Sequence, residues 1–200
     1  MAQSHLCMRA ARLYLLRMDD TRAFVKLDFR NVIKSIQRDT VLEAVAEHRP
    51  DLLAFCVSAY GAPSQLWMAD GRQIISDEGV QQGGPLSPLL FSLALNQPPK
   101  DTGAEFISGY LDDVGLGDTV PRLIAQIRQL EAAAAKVGLQ VNHDKCEVFG
   151  FSAVNRQMWD QSDLKFTVKA VEEATLLGSP IHTSGVDSAL ISKCSQLESD

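Results

Sequence analysis

The chain has 200 residues, of which 46% are hydrophobic, with 25 acidic and 19 basic side chains and a formal net charge of −6. This length and composition are typical of one globular domain and exclude a disordered or low-complexity protein. The acidic balance does not indicate a nucleic-acid partner, which a basic stripe usually reveals; if the chain binds nucleic acid, its contacts with phosphate groups must be local or supplied by parts outside this chain. The first 17 residues are too polar for a signal peptide or a membrane span, which predicts an intracellular protein without a membrane partner, in nucleus or cytoplasm.

Four cysteines, Cys7, Cys56, Cys146 and Cys194, lie far apart and form no Cys-x-x-Cys pair. His143 and Cys146 have the spacing of half a zinc site, but no second pair has ligand spacing. The pattern therefore favours reduced, mostly buried thiols over a zinc site.

The hydrophobic pattern predicts helices and strands that alternate without a strict repeat. In chain order, the predicted elements are a helix at 2–16, a strand at 23–27, helices at 40–47 and 51–60, a hairpin at 65–75, a helix at 87–95, strands at 105–111 and 114–116, a helix at 121–137, and strands at 147–151 and 164–168. This mixed order predicts an α+β fold rather than a doubly wound parallel sheet.

Two adjacent carboxylates, Asp112 and Asp113, lie where one predicted strand ends and the next begins. Adjacent carboxylates repel each other unless solvent or a cation offsets the repulsion. A solvated turn is the commoner explanation for an isolated pair of this kind. The apolar strands on both sides instead favour a pair held at the tip of a hairpin.

A third carboxylate, Asp28, follows the buried run at residues 24–27. An isolated aspartate at a strand end is usually a cap or a turn residue. Beside the hairpin, however, it could complete a magnesium site, because Mg²⁺ prefers a few carboxylate oxygens together with phosphates and water. Two such ions can activate a hydroxyl nucleophile and stabilise a leaving pyrophosphate.

Gly83 and Gly84 precede a helix that starts near Ser87. The glycines would let the backbone approach a ligand closely, and the helix start offers unpaired N–H donors. Gln82 could bind a sugar or a base edge. An ordinary loop that caps a helix is the alternative explanation of this segment.

Five segments in this order resemble the motifs of reverse transcriptases, particularly those of non-LTR retrotransposons. The resemblance involves VKLDFRN at 25–31 (motif A), GVQQGGPLSPLLF at 79–91 (motif B), YLDD at 110–113 (motif C), GLQVN with KCE at 138–147 (motif D) and LLGSPI at 176–181 (motif E).

The resemblance implies a polymerase palm with a small antiparallel sheet packed on helices, at residues 22–181. Residues 1–21 would form an N-terminal helix, a candidate remnant of the fingers region, and residues 182–200 the start of a thumb or a tail. The implied reaction is DNA synthesis from deoxynucleoside triphosphates on a DNA primer and an RNA template. The implied partners are therefore the template, the primer and the deoxynucleotides, while protein partners stay unknown.

The same resemblance assigns residue roles. Asp28, Asp112 and Asp113 would bind two Mg²⁺ ions, with Mn²⁺ as an alternative, and Lys145 would protonate the leaving pyrophosphate unless it is a solvated loop lysine. The nucleotide-binding residues would be Phe29, Arg30, Asn31, Val32, Ile33, Gln82 and Gly83. Leu177 and Gly178 would belong to the turn that grips the primer end.

The chain departs from the family pattern at two site positions. Ile33 stands where the family usually carries an aromatic residue that rejects a ribose 2′-hydroxyl, and Gly84 replaces a usual aspartate or serine. Arg9, Arg12 and Arg17 could replace phosphate contacts of the fingers, although a solvated helix face is the commoner arrangement. An inactive retroelement remnant or interaction module with the palm fold is the alternative hypothesis. An RNA-dependent RNA polymerase is disfavoured, because its motif C usually has Gly-Asp-Asp.

Overall fold

The computed structural model describes residues 2–30, 32–81, 83–95, 97–110 and 113–184. The α-helices in this part of the chain are α1 (Ala2–Arg17), α2 (Val32–Ser35), α3 (Arg38–His48), α4 (Leu53–Tyr60), α5 (Ser87–Leu95), α6 (Gln97–Asp101), α7 (Val120–Lys136) and α8 (Ala153–Asp160). The strands are β1 (Arg22–Leu27), β2 (Phe29–Arg30), β3 (Ser64–Trp67), β4 (Gln73–Ser76), β5 (Phe106–Tyr110), β6 (Asp113–Thr119), β7 (Gln140–Val141), β8 (Glu147–Phe149), β9 (Thr167–Lys169), β10 (Thr175–Leu176) and β11 (Ser179–Pro180). Single 3₁₀ turns occupy Pro50–Leu52 and Val171–Glu173.

The chain folds into two compact units. The described residues of the first unit come from 2–28, 102–129 and 142–184, and those of the second from 29–101 and 130–141. Helix α7 contributes its first ten residues to the first unit and the remainder to the second. Among the described residues, none of the helices has both the length and the apolar character that a membrane crossing requires.

The first unit is built on a five-stranded sheet with the order β5-β6-β1-β8-β9. Strand β1 is central and pairs antiparallel with β6 over six residues, from Arg22 opposite Thr119 to Leu27 opposite Val114. The predicted α+β fold is confirmed. The predicted antiparallel sheet is correct for the first four strands but not for β9, which joins β8 in parallel. Helix α8 lies in the connection between these two strands and returns the chain to the same end of the sheet, as a parallel pairing requires.

One face of this sheet carries an aromatic cluster covered by α1. Phe24 of β1 lies 5.9 Å from Phe149 and 6.0 Å from Phe106 between ring centroids, and Tyr14 of α1 stacks on Phe106 at 5.0 Å. The Tyr14 hydroxyl donates a hydrogen bond to the Ala23 carbonyl, 3.3 Å away, and burial raises the pKa of this phenol. A Cβ atom at Gly117 would overlap the Tyr14 ring. The helix therefore lies close to the sheet because position 117 has no side chain.

The other face of β1 is buried as well, since Ala23, Val25 and Leu27 are fully inaccessible to solvent. Asp118 of β6 projects from this face and accepts hydrogen bonds from the Gln126 amide (2.9 Å) and the Glu105 N–H (3.2 Å). Burial acts to raise the pKa of Asp118, but these donors, the Thr119 N–H and Arg122 together lower it below its ordinary value. The carboxylate thus connects α7 to the sheet as a hydrogen-bonded anion.

The second unit contains helices α2 to α6, the hairpin β3–β4 and the short pair β2–β7. Helix α3 packs against both α4 and α5 through buried residues that include Val41 and Val45. The hairpin leaves Trp67 and Ile75 largely exposed, so it contributes little to this core.

Most predicted elements are confirmed, with shifted ends. The hairpin turns at Asp70-Gly71 as predicted, and α5 ends at Leu95. Prolines 98 and 99 lie in the first turn of α6, where the missing N–H costs no helical hydrogen bond. The predicted strand at 164–168 begins only at Thr167. Sequence reasoning missed the short helices α2, α6 and α8. It also missed the two-residue pairs β2–β7 and β10–β11, which are too short to show a period.

We predict that Gly117→Ala destabilises the first unit by about 1–3 kcal/mol, because the added methyl group meets the Tyr14 ring in a filled core. Urea denaturation measures the change. Gly109→Ala on the neighbouring strand is the matched control, since no heavy atom lies within 4 Å of a Cβ there. Equal stability of the two variants would contradict the close packing of α1 on the sheet.

Candidate active site

The pairing of β1 with β6 brings together two of the three predicted carboxylates. Leu27 lies opposite Val114, so extending this register by one pair puts Asp28 opposite Asp113. Residues opposite each other in an antiparallel pair project from the same face, with Cβ atoms about 5 Å apart. Tyr110 pairs with Asp113 across the β5–β6 hairpin, and the two residues between them, Leu111 and Asp112, lie outside the described residues.

Lys26 supplies a positive charge beside this pair. It precedes Asp28 by two positions, so the two side chains project from the same side of the extended chain. Its ammonium nitrogen lies 4.0 Å from Oδ1 of Asp113, and both side chains are partly buried. The lysine offsets part of the repulsion that the carboxylates exert on each other.

Asp28 is held by the turn that follows β7. The Asn142 side-chain amide donates a hydrogen bond to Oδ1 of Asp28 at 3.1 Å, and the Asn142 N–H donates to the Asp28 carbonyl at 2.8 Å. The Asp28 N–H in turn donates to the buried Sγ of Cys146 at 3.4 Å. Asp28 itself is half-buried. These contacts fix both its backbone and one carboxylate oxygen.

Lys145 lies on the same turn and is exposed. Its N–H donates to the Asn142 carbonyl at 3.0 Å, as does that of Cys146 at 3.1 Å. The predicted proton donor and the residues that hold Asp28 therefore belong to one short segment of the first unit.

Leu177 and Gly178, the predicted primer-contacting residues, form the two-residue turn of the β10–β11 hairpin. Both have positive φ, 53° at Leu177 and 70° at Gly178, as in a type I′ turn. Leucine is uncommon in this left-handed conformation. The Arg12 guanidinium donates to the neighbouring Pro180 carbonyl at 3.2 Å, which ties α1 to this hairpin. Arg9 and Arg17 of α1 are exposed, as on a solvated helix face.

The predicted nucleotide-binding residues that follow Asp28 belong to the second unit. Phe29 is buried and Arg30 is exposed, while Ile33 is 39% exposed on α2. Val32 lies at the start of α2. Asn31 is outside the described residues.

The motif B segment is anchored to the chain after motif A within this second unit. Gly79 and Val80 donate their N–H groups to the carbonyls of Ile36 and Ile33, at 2.8 and 2.9 Å. Gly79 has a φ of 69°, and a Cβ there would lie 2.6 Å from the Ile33 oxygen, so only glycine fits. Gly83 is exposed with a φ of 84°, and Gln82 lies outside the described residues.

A buried arginine organises this segment. Arg38 is 8% exposed and donates to the Gly79 carbonyl (3.0 Å), the Ala62 carbonyl (3.3 Å) and the Ser76 hydroxyl (3.0 Å). Its guanidinium also lies 5.7 Å from the centre of the Tyr60 ring. The Tyr60 hydroxyl accepts a hydrogen bond from the Gln81 N–H at 3.4 Å. These contacts determine the path of the backbone that leads to Gln82.

Among the described residues, no group of three or more potential metal ligands lies together. Asp28 and Asp113 nevertheless offer hard oxygen ligands at one end of the sheet, and Lys26 lies 4.0 Å from Asp113. Carboxylate oxygens are the protein ligands that Mg²⁺ and similar ions prefer. The donor set therefore fits the metal that the motif resemblance implies.

Comparison with known proteins identifies the family. A family model described as reverse transcriptase (RNA-dependent DNA polymerase) matches residues 3–181. The chain belongs to the reverse transcriptase family. The predicted resemblance to reverse transcriptases is confirmed.

One curated relative and two solved structures give the extent of the likeness. The retrovirus-related Pol polyprotein from the type-1 retrotransposable element R2 of Nasonia vitripennis is 27% identical over 184 residues, which cover 86% of this chain and 18% of the polyprotein. Apo telomerase from Candida tropicalis superimposes with a TM-score of 0.52 and 14% identity, over 71% of this chain and 31% of the telomerase. Telomerase from Candida albicans, solved with a TWJ fragment of telomeric RNA, superimposes with a TM-score of 0.54 and 14% identity, over 72% of this chain and 29% of the telomerase.

At these identities the likeness to telomerases shows a shared fold, and it confirms the predicted palm architecture. The chain spans less than a fifth of the polyprotein and less than a third of either telomerase chain.

The sequence assigned no role to Lys26 and Asn142 of the first unit or to Arg38 of the second. Lys26 and Asn142 lie inside the motif A and motif D segments, and their place in those segments was the available signal. Arg38 carries no such signal, because an arginine at a helix start usually lies in solvent.

We predict that Arg38→Met lowers the free energy of unfolding by about 2–4 kcal/mol, because two buried carbonyls lose their charged donor. The Gly79 and Val80 amides should also exchange faster with deuterium, as measured by NMR. Arg49→Met is the matched control, because Arg49 is exposed in its ion pair with Asp51 and should change stability by less than about 1 kcal/mol. Unchanged exchange in Arg38→Met would contradict the anchoring role.

Proposed function

We propose that this chain is the palm of an RNA-directed DNA polymerase, which joins deoxynucleotides to a DNA primer on an RNA template. The observation that carries the proposal is the β1–β6 register, which ends with Leu27 opposite Val114 and leaves Asp28 and Asp113, the next residue of each strand, at one end of the sheet. Family membership over residues 3–181 supports the same reaction. We assign the palm to residues 22–181, a fingers remnant to residues 1–21 and the start of a thumb or tail to residues 182–200.

Asp28, Asp112 and Asp113 would hold two divalent cations, which the family generally uses and which we propose to be Mg²⁺. When bound, such ions supply charge neutralisation at the primer hydroxyl and at the leaving pyrophosphate. The protein's own contribution is mainly positioning and preorganised charge. Lys26 would balance Asp113 before the nucleotide arrives, and Lys145, exposed on the turn beside Asp28, would donate the proton that the pyrophosphate takes up.

The second unit would bind the incoming nucleotide. We assign the triphosphate to the backbone of residues 29–32 and the sugar to Ile33, whose side chain is 39% exposed. Gln82 and Gly83 would contact the nucleotide and the template at the end of the segment that Arg38 anchors. In the first unit, Leu177 and Gly178 would contact the primer end through the strained turn of the β10–β11 hairpin.

Primer extension tests the proposal. The purified chain is incubated with an RNA template, a DNA primer, Mg²⁺ and four deoxynucleotides, and we expect extension that Asp28→Asn and Asp112→Asn reduce by roughly 100-fold or more. The reason is that each ligand supplies several kcal/mol of charge stabilisation and about 1.4 kcal/mol is worth a factor of ten.

Asp19→Asn is the matched control, because this aspartate is 54% exposed and pairs with Arg22 at the start of β1, the opposite end of the strand from Asp28. It should extend primers at the normal rate. Extension that survives in Asp28→Asn would contradict the metal assignment. No extension by the unaltered chain, with Mg²⁺ or Mn²⁺, would favour the inactive remnant instead.

We also predict that Ile33→Phe raises the preference for deoxynucleotides over ribonucleotides by about tenfold, because a ring at this position would meet the ribose 2′-hydroxyl. The preference is the ratio of kcat/KM values for the two nucleotides, and a tenfold change corresponds to about 1.4 kcal/mol. Ile74→Phe makes the same change at an exposed hairpin position and should leave the ratio unaltered. An unaltered ratio in Ile33→Phe would contradict the assignment of the sugar to Ile33.

A further inference from the structure

Asp28 is held through three of its polar groups by a segment more than 110 positions away in the chain. Its carboxylate Oδ1 and its carbonyl accept hydrogen bonds from the side chain and backbone of Asn142, and its N–H donates to the Cys146 sulfur. A carboxylate that only terminates a strand does not need a dedicated amide on its side-chain oxygen. The contact therefore indicates a requirement for one particular orientation of this carboxylate.

We infer that Asn142 is a positioning residue, whose amide orients the Asp28 carboxylate for a divalent cation. This inference rests on the proposed function, because the cation belongs to the proposed reaction. The amide occupies one lone-pair direction of Oδ1, which leaves Oδ2 and the second direction of Oδ1 for the ion. Groups that hydrogen-bond a metal-binding carboxylate fix its orientation before the metal binds and change the affinity when they are removed.

An asparagine suits this place better than a charged donor. A lysine or arginine would bring a positive charge that competes with the cation for the Asp28 carboxylate, and an aspartate would add a further negative charge beside it. The neutral amide orients Asp28 and leaves its charge available to the ion. Lys26 lies 4.0 Å from Asp113.

The turn that carries Asn142 is itself well anchored. The Asn142 carbonyl accepts the N–H groups of Lys145 and Cys146, and the Cys146 carbonyl accepts the Thr167 N–H of β9 at 3.0 Å. Cys146 is fully buried. Asn142 therefore orients Asp28 from a rigid support, on the same turn that presents Lys145.

Metal binding by the intact chain tests the inference without relying on catalysis. Free Mn²⁺ is measured by electron paramagnetic resonance as the ion is titrated into the unaltered chain, Asp28→Asn, Asn142→Ala and Asn142→Leu. We expect Asn142→Ala and Asn142→Leu to raise the Mn²⁺ dissociation constant about tenfold. Leucine keeps the branched shape of asparagine and is not smaller, so it removes the donor without leaving a cavity. In primer extension, the Mg²⁺ concentration for half-maximal rate should rise by a similar factor.

Asn155→Ala is the matched control. The Asn155 amide is buried in the same unit and donates to the Asp20 carbonyl, so the same substitution removes an amide hydrogen bond that does not involve Asp28. It should lower the melting temperature and leave the Mn²⁺ dissociation constant within about twofold of the unaltered chain, the scatter expected for a site outside the metal shell. If Asn142 acted in folding alone, the Asn142 and Asn155 variants would lower the melting temperature alike and leave the Mn²⁺ dissociation constant alike.

The outcomes separate this inference from the proposed function. If the chain binds Mn²⁺ through Asp28 and the Asn142 variants weaken that binding, the inference stands even where no primer is extended. If primers are extended but both Asn142 variants match the unaltered chain in Mn²⁺ affinity and Mg²⁺ dependence, the inference is overturned and the polymerase stands. Mn²⁺ binding that Asp28→Asn does not change would also overturn it.

Discussion

The antiparallel pairing of β1 with β6 is the constraint on which the rest of the first unit depends. Six residue pairs determine the register, and a slip by one residue would turn Phe24 away from its aromatic partners and separate Asp28 from Asp113. Both faces of β1 are buried, so the register is specified by packing as well as by hydrogen bonds. Asp28 and Asp113 are the next residues beyond the last pair of this ladder.

Asp28 illustrates how a carboxylate is held by parts of the chain that are distant in sequence. The hairpin β5–β6 provides the opposing carboxylate, and the turn after β7 provides the amide and the thiol that hold it. A carboxylate placed in this way does not need to reorganise when charge develops beside it, and preorganisation of this kind accounts for much of catalysis by phosphoryl-transfer enzymes.

In the second unit, a buried arginine rather than a strand register holds the segments together. Arg38 is buried without a described carboxylate partner and is satisfied by two carbonyls, a hydroxyl and the face of Tyr60. A buried guanidinium is costly unless each of its donors is directed at an acceptor. The arginine therefore holds the strands of the hairpin and the glycine-rich segment in one arrangement, and Gly79 allows the close approach that this arrangement requires.

The sequence by itself determined the α+β class, the order of the longer elements and the family, because apolar periodicity and five ordered motifs are local properties of the chain. It also pointed to Asp28 and Asp113 as partners, since a strand end and a hairpin turn are both visible locally. Only the tertiary structure decided the register between β1 and β6, the parallel pairing of β9 with β8, and the contacts of Asn142 and Arg38. Each of these depends on packing between segments far apart in the chain, and no local pattern of residues encodes the free energy of such contacts.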